Sequence, residues 1–253
     1  MAIADCDRAL KLEPSSIHAH IMRGCCRKEL KRYELAISDF TKSIESDNLC
    51  YQAYFNRGLT YEAVHDYQNA IKDYSITILL SNDVKGYKNR GLLYWNMGDA
   101  DNAILDLGMA SELEPTDQEI KSLLALALHC ASRLEESTAV YNKAINEHPA
   151  NIDLLLGRGN VEFTLKRHKL ARRDYLRALH IKPTCLQSLI NIGYTFQIEN
   201  LYKRAWNVFT FILAINPKYH AAYEGRAIIH LAMKNAYGAL MDISKAIVKV
   251  YMI

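Results

Sequence analysis

Only five prolines punctuate these 253 residues, and glycine is sparse at eleven. No Pro/Gly/Ser-rich linker and no low-complexity stretch occurs, so the sequence offers no domain boundary. Long apolar runs are missing. The longest lie near 123–128 and 209–215, far short of the ~20 residues a bilayer span requires. No membrane segment is therefore expected, and no secretory leader, because the first residues have the same character as the rest. Asn-X-Ser/Thr is absent. Six cysteines (Cys6, Cys25, Cys26, Cys50, Cys130 and Cys185) form no CxxC and keep no regular spacing. They predict reduced, mostly buried thiols in an intracellular, cytoplasmic protein. Catalytic signatures are missing as well: no Gly-rich phosphate loop, no HExxH, no GxSxG. His18 and His20 stand two apart, hence on different faces of a helix, whereas metal ligands on one helix stand three or four apart. The expectation is no catalytic residue, no metal and no cofactor.

The few prolines fall on a beat. Pro115, Pro149, Pro183 and Pro217 are each 34 residues apart, and Pro14 precedes Pro115 by 101, three beats less one residue. A fixed period of this size means stacked copies of one supersecondary unit. With proline at position 32, full repeats run 17–50, 51–83, 84–117, 118–151, 152–185, 186–219 and 220–253, preceded by a second half-repeat at 1–16. Position 8 is Gly24, Gly58, Gly91, Ala125, Gly159, Gly193 and Ala227. Position 20 is Ala36, Ala70, Ala103, Ser137, Ala171, Ala205 and Ala239. Position 24 is large: Phe40, Tyr74, Leu107, Tyr141, Tyr175, Phe209 and Ile243. Small residues at 8 and 20 allow two antiparallel helices to approach, and the large one fills the space beside them. Apolar spacings of three and four within each half predict two helices per repeat, with proline ending the second.

Small at 8, Ala at 20, aromatic at 24, Ala at 27 and Pro at 32 resemble the tetratricopeptide repeat (TPR) over the whole chain. The resemblance implies an all-α fold, a right-handed α-solenoid of antiparallel helix pairs forming a single array over 1–253. Departures stand at position 11 (Arg27, Glu162, His230), position 27 (Ile212) and position 32 (Asn48, Asn82, Tyr251). They are expected to weaken individual repeats.

Comparing repeats exposes a linked pair. Position 7 is Arg23, Arg57, Arg90, Leu124, Arg158, Ile192 and Arg226. Position 23 is Asp39, Asp73, Asp106, Val140, Asp174, Val208 and Asp242. Arginine and aspartate occur together in five repeats and vanish together in two. This predicts a structural ion pair between the helices of a repeat, since a half-pair is worse than a full pair or none. Asp5, at position 23 of the half-repeat, is expected to have no arginine partner, because its first helix is absent. That half-repeat, and a C-terminus ending in Val-Tyr-Met-Ile without a polar capping helix, predict frayed ends, possible self-association and a chain that is a segment of a longer array.

The resemblance further implies that first helices line a concave face with positions 2, 5, 6, 9, 12 and 13. Positions 5 and 9 here are largely apolar: Ile21, Phe55, Leu59, Leu92, Leu126, Leu156, Ile190, Tyr194 and Ile228. Asn56, Asn89 and Asn191 recur at 6, and Asn160 stands at 9. Asparagine offers donor and acceptor together, so it can hold the backbone of an extended peptide. A ladder of this kind is known in the TPR region of the O-linked N-acetylglucosamine transferase. The carboxylate clamp of chaperone-binding TPRs is incomplete: Leu156, Ala221 and Gly225 replace its cations, and Ile21 and Cys25 spoil the other register. The C-terminal tails of Hsp70 and Hsp90 are therefore not expected partners. Lys166, Arg167, His168, Lys169, Arg172, Arg173 and Arg177 form a basic cluster, read as a solvated outer face. No stacking aromatics interleave with it, so nucleic acid is not expected. The function expected is a non-catalytic scaffold or adaptor binding a protein or peptide. The alternatives are the substrate-recognition arm of a larger enzyme such as a glycosyltransferase, and a structural subunit of a ciliary or transport complex.

Overall fold

The structure, a computed structural model, describes residues 2–247. Met1 and residues 248–253 lie outside the described residues. So do Tyr251 at position 32 and the expectation attached to the terminal Val-Tyr-Met-Ile. Among the described residues there are fifteen helices and no strand. The chain divides into two compact units, Met1–Ala127 and Leu128–Ile253.

The first unit contains α1 (Ala2–Leu12), α2 (Ile17–Glu29), α3 (Tyr33–Ser46), α4 (Tyr51–Ala63), α5 (Tyr67–Ser81), α6 (Val84–Asn96) and α7 (Ala100–Leu113). The boundary between units falls within α8 (Gln118–Cys130). The second unit contains α9 (Leu134–Glu147), α10 (Ile152–Thr164), α11 (His168–Ile181), α12 (Leu186–Ile198), α13 (Tyr202–Ile215), α14 (His220–Ala232) and α15 (Ala236–Ile247). From α1 to α7, and again from α9 to α15, each helix packs on the next. First helices also touch first helices, α2 on α4, α10 on α12 and α12 on α14.

The starts and stops have local causes. Each first helix begins at a residue where the 34-residue frame begins. Each proline lies two residues beyond the last residue of a second helix, from α1 with Pro14 to α13 with Pro217. Proline lacks the N–H and pushes its predecessor out of the α region. Where proline is missing after α5, Asn82 ends the helix in the left-handed conformation, φ 50°. Within every repeat the turn between helices places position 15 at positive φ: Lys31, His65, Gly98, Ser132, Lys166, Asn200 and Lys234, between 58° and 81°. Only one of the seven is a glycine, so the turn is imposed by packing on either side rather than by local preference.

Position 24 is the keystone of the core. Phe40, Tyr74, Leu107, Tyr175 and Phe209 are fully buried or nearly so. A Cβ added to Gly24 would lie 2.6 Å from the Phe40 ring, and one on Gly193 2.4 Å from Phe209. The same rings reach the following repeat, since a Cβ on Gly157 or Gly225 would lie 2.4 Å from Tyr141 or 2.6 Å from Phe209. One aromatic side chain thus seals two seams.

The departures from the repeat pattern have partners. Ile212, in place of alanine at 27, is fully buried in a cluster with Leu189, Phe209 and Ile229. Arg27, in place of an aromatic at 11, pairs with Asp39 at 2.6 Å. His230 sits 3.7 Å from Asp242, with Trp206 Nε1 3.5 Å away. Two readings need correction. Asp5 does have an arginine, accepting from Arg8 one turn along its own helix. The thiols are not mostly buried: five cysteines are half-buried and Cys130 is exposed. They lie on helix flanks and, as Cys50 and Cys185, at two helix N-caps rather than at the small, crowded positions.

Candidate functional site

The first helices are held in register by arginines that bond the second helix on either side. Arg158 Nε and Nη2 donate to the two carboxylate oxygens of Asp174 at 2.7 and 2.6 Å. Arg57 with Asp73, Arg90 with Asp106 and Arg226 with Asp242 repeat this forked geometry at 2.7–2.9 Å. Arg23 bonds Asp39 through Nε and Nη2. The aspartates are almost completely buried. Their hydrogen bonds push the arginine pKa values up, against the opposing pull of burial. Each arginine is therefore a permanent cation closed by a fixed carboxylate.

The third nitrogen, Nη1, turns backward to the preceding second helix. It meets Asp7 from Arg23, Thr41 from Arg57, Ser75 from Arg90, Asn142 from Arg158 and Thr210 from Arg226, at 2.6–3.3 Å. These acceptors occupy position 25, which sequence reasoning missed. The signal was present. Gly108 and Leu176, the full-repeat exceptions at 25, precede the two repeats that carry Leu124 and Ile192 instead of arginine.

On this scaffold the second unit assembles a small cavity of about 170 Å³ between α10 and α12. Phe163, Thr164, Tyr175, Asn191 and Tyr194 line it together with Asn160 and His129. Asn160 Oδ1 accepts from Tyr175 Oη and from Asn191 Nδ2, each at 2.9 Å. Burial, and then the charge of Asp174, push the Tyr175 hydroxyl pKa upward, so it stays a proton donor. Gln187 Nε2 donates to Asn191 Oδ1 at 3.1 Å. Two donors on its oxygen orient the exposed Asn160 carboxamide, whose Nδ2 has no hydrogen-bond partner among the described residues. Thr164 Oγ1 lies 3.0 Å from His129 Nε2, and burial pulls the His129 pKa below its ordinary value. Tyr194 forms the far wall, edge-on to Phe209 at 5.7 Å.

The first unit arranges its asparagines differently. Asn56 Nδ2 donates to Gln52 O and Asn89 Nδ2 to Lys85 O, each at 2.8 Å along its own helix. Asn56 Oδ1 also accepts from Cys25 Sγ at 3.6 Å. Phe55 and Leu59 pack partly onto the Ala70–Tyr74–Leu93 cluster, and Leu92 is half-buried. Ile190 must be removed from the exposed set. It is 2 % exposed, drawn into the core with Ala205 and Ile212. That cluster also takes in Ala222 and Ile229 of α14, the next first helix. Among the described residues no cluster of His, Cys, Asp or Glu could hold a metal ion, and no helix is long and apolar enough to cross a membrane.

A tetratricopeptide repeat family model matches residues 17–48, 51–75 and 84–117. Human tetratricopeptide repeat protein 6 is 39% identical over 221 residues, covering 85% of this chain and 42% of that protein. The chain is a tetratricopeptide repeat protein. Human tetratricopeptide repeat protein 16 is 26% identical over 127 residues. The chain spans less than half the length of each of these two curated relatives. Among solved structures, the C-terminal part of a TPR repeat-containing protein from Cytophaga hutchinsonii aligns with a TM-score of 0.77 at 18% identity, covering 88% of this chain and 92% of that one. YrrB, described as a TPR protein with an unusual peptide-binding site, aligns with a TM-score of 0.63 at 17% identity, covering 73% and 95%. These likenesses show the fold, a TPR-like solenoid.

Proposed function

We propose that the chain is a non-catalytic adaptor that binds an extended peptide of a partner protein on its first-helix faces. The observation that carries this reading is the Asn160–Asn191 pair at the mouth of the α10–α12 cavity. Asn191 Nδ2 is spent on Asn160 Oδ1, which leaves the Asn160 carboxamide N–H groups for a ligand, and an apolar pocket walled by Tyr194 and Phe163 lies beside them. A peptide amide bonded to Asn160 would direct one side chain into that pocket, which gives backbone affinity and side-chain selectivity together. Asn56 and Asn89, with Phe55, Leu59 and Leu92, form a second and more general contact face in the first unit. The peptide-binding site named for YrrB is consistent with such a use of this fold. The test is selection from a displayed random-peptide library on the wild-type chain and on the Asn160→Ala/Asn191→Ala variant. Wild type should enrich peptides that the variant fails to hold. Equal enrichment by a variant with unchanged helical content would overturn the reading.

A further inference from the structure

The positive charge of this chain is concentrated in one region. Residues 166–215 carry nine Lys and Arg against two acids, a formal +7 in a chain whose total is +3. Both acids are already committed, Asp174 to Arg158 and Glu199 to Arg172. The second helix α11 accordingly exposes cations and no carboxylate. Between α11 and the turn at Pro149–Ala150 lies an open trough of about 650 Å³. Lys169, Arg173 and Arg177 line it together with the apolar Leu176 and Ile181.

The fold's own needs do not explain this surface. Leu176 occupies position 25, where other repeats place an acceptor for the next repeat's arginine. Here the next repeat carries Ile192, and the leucine is left 56% exposed. Lys169 and Arg173 have no carboxylate partner among the described residues. Arg177 makes only long contacts, 3.4 Å to Pro149 O and 4.0 Å to Asp174. Arg172 differs, being fixed by Glu199 at 2.6 Å and stacked 4.9 Å over Phe196.

We propose that this trough docks an acidic amphipathic helix of a partner protein, its apolar stripe on Leu176 and Ile181 and its flanking carboxylates on Lys169, Arg173 and Arg177. Charge complementarity selects the sign of the partner, and unpaired cations beside exposed apolar side chains fit acids spaced three and four from a leucine. A polynucleotide matches this less well, since no Phe, Tyr or Trp lines the trough for a base to stack on.

The test uses the whole chain and a fluorescein-labelled helical peptide with Glu and Leu in that spacing. Companion probes carry Gln for Glu or Ala for Leu, and a single-stranded oligonucleotide and anionic phosphatidylserine vesicles complete the set. The Glu/Leu peptide should bind at least tenfold more tightly than either companion peptide. Lys169→Glu/Arg173→Glu should weaken it at least tenfold, and Leu176→Asn severalfold, with circular dichroism unchanged. Asn160→Ala/Asn191→Ala should leave it unaltered, which separates this surface from the first-helix cavity. Equal binding of the Glu/Ala peptide, preference for oligonucleotide or vesicles, or indifference to the charge reversals would overturn the proposal. So would salt-sensitive self-association through these residues, which would make the occupant a second copy.

Discussion

Arg158 reaches back sixteen residues to Asn142, 2.8 Å from Nη1 to Oδ1, while its other two nitrogens reach forward sixteen residues to Asp174. One guanidinium therefore ties α9, α10 and α11. Arg57, Arg90 and Arg226 make the same three-helix tie. A repeat array is stabilised by intrinsic and nearest-neighbour terms, and this single side chain contributes to both. Its planar fork suits two directions at once, which a lysine point charge does not.

Breaking one half of such a pair should be worse than deleting it. Arg90→Ala or Asp106→Ala leaves a buried or half-buried charge without its partner and should lower stability by roughly 2–5 kcal/mol. Arg90→Ile with Asp106→Val installs the combination found at Ile192 and Val208, where the isoleucine is buried and the valine packs against it. That double change should cost much less than either single one. Urea denaturation of the three variants decides it, and additive losses in the double variant would rule out the pairing as the cause.

The backward bond can be tested apart from the forward one. Asn142→Leu removes the acceptor of Arg158 Nη1 but leaves the Asp174 fork intact, so the loss should be about 1–3 kcal/mol, because a buried, charged N–H is left without an acceptor. Leu176→Asn, at the equivalent place before Ile192, has no arginine to serve and should be near neutral. Hydrogen exchange should show faster opening of α9 from α10 in the first variant and no change in the second.

Gly193 tests the crowding at position 8. A methyl group there would meet the Phe209 ring at 2.4 Å, and that ring is fully buried. Gly193→Ala should therefore destabilise by about 1–3 kcal/mol despite alanine's better helix propensity. Adding Phe209→Leu should recover part of the loss if the ring contact causes it. Thermal melts of the single and double variants give the comparison.

The period made the helix boundaries and the arginine–aspartate spacing legible, because each is a one-dimensional regularity read along the chain. Asn82 shows the limit. It replaces proline and stops α5 by entering the left-handed region, a different mechanism at the same place. Position 25 was legible in principle, since its acceptor tracks the arginine sixteen residues later, but it shows only when one repeat is read against the next. Position 15 was not legible. Lysine, histidine, glycine, serine and asparagine all occur there, and what they have in common is the positive φ between the two flanking helices. Ile190 was misplaced for a related reason: a fixed rule about which positions face outward ignores how close the following helix comes. The Asn160 orientation depends on Tyr175 and Asn191 from two other helices, and no spacing within one helix encodes it.

The cavity beside Asn160 should respond to acid through His129. Burial disfavours the imidazolium, so its folded pKa lies below the ordinary 6.5. A base whose pKa is depressed on folding stabilises the fold above its unfolded pKa, and that contribution is lost as the pH falls through the folded value. Stability should therefore decline as the pH drops below 6.5, and the Thr164 contact at 3.0 Å should loosen with it. Replacing His129 with Gln keeps a polar group near Thr164 without a titration, and should flatten this part of the profile while leaving the α10–α11 ion pair intact. The imidazole signal of His129, followed by NMR, should titrate with a midpoint below 6.5. A midpoint above that value would mean that a carboxylate, rather than burial, governs the site.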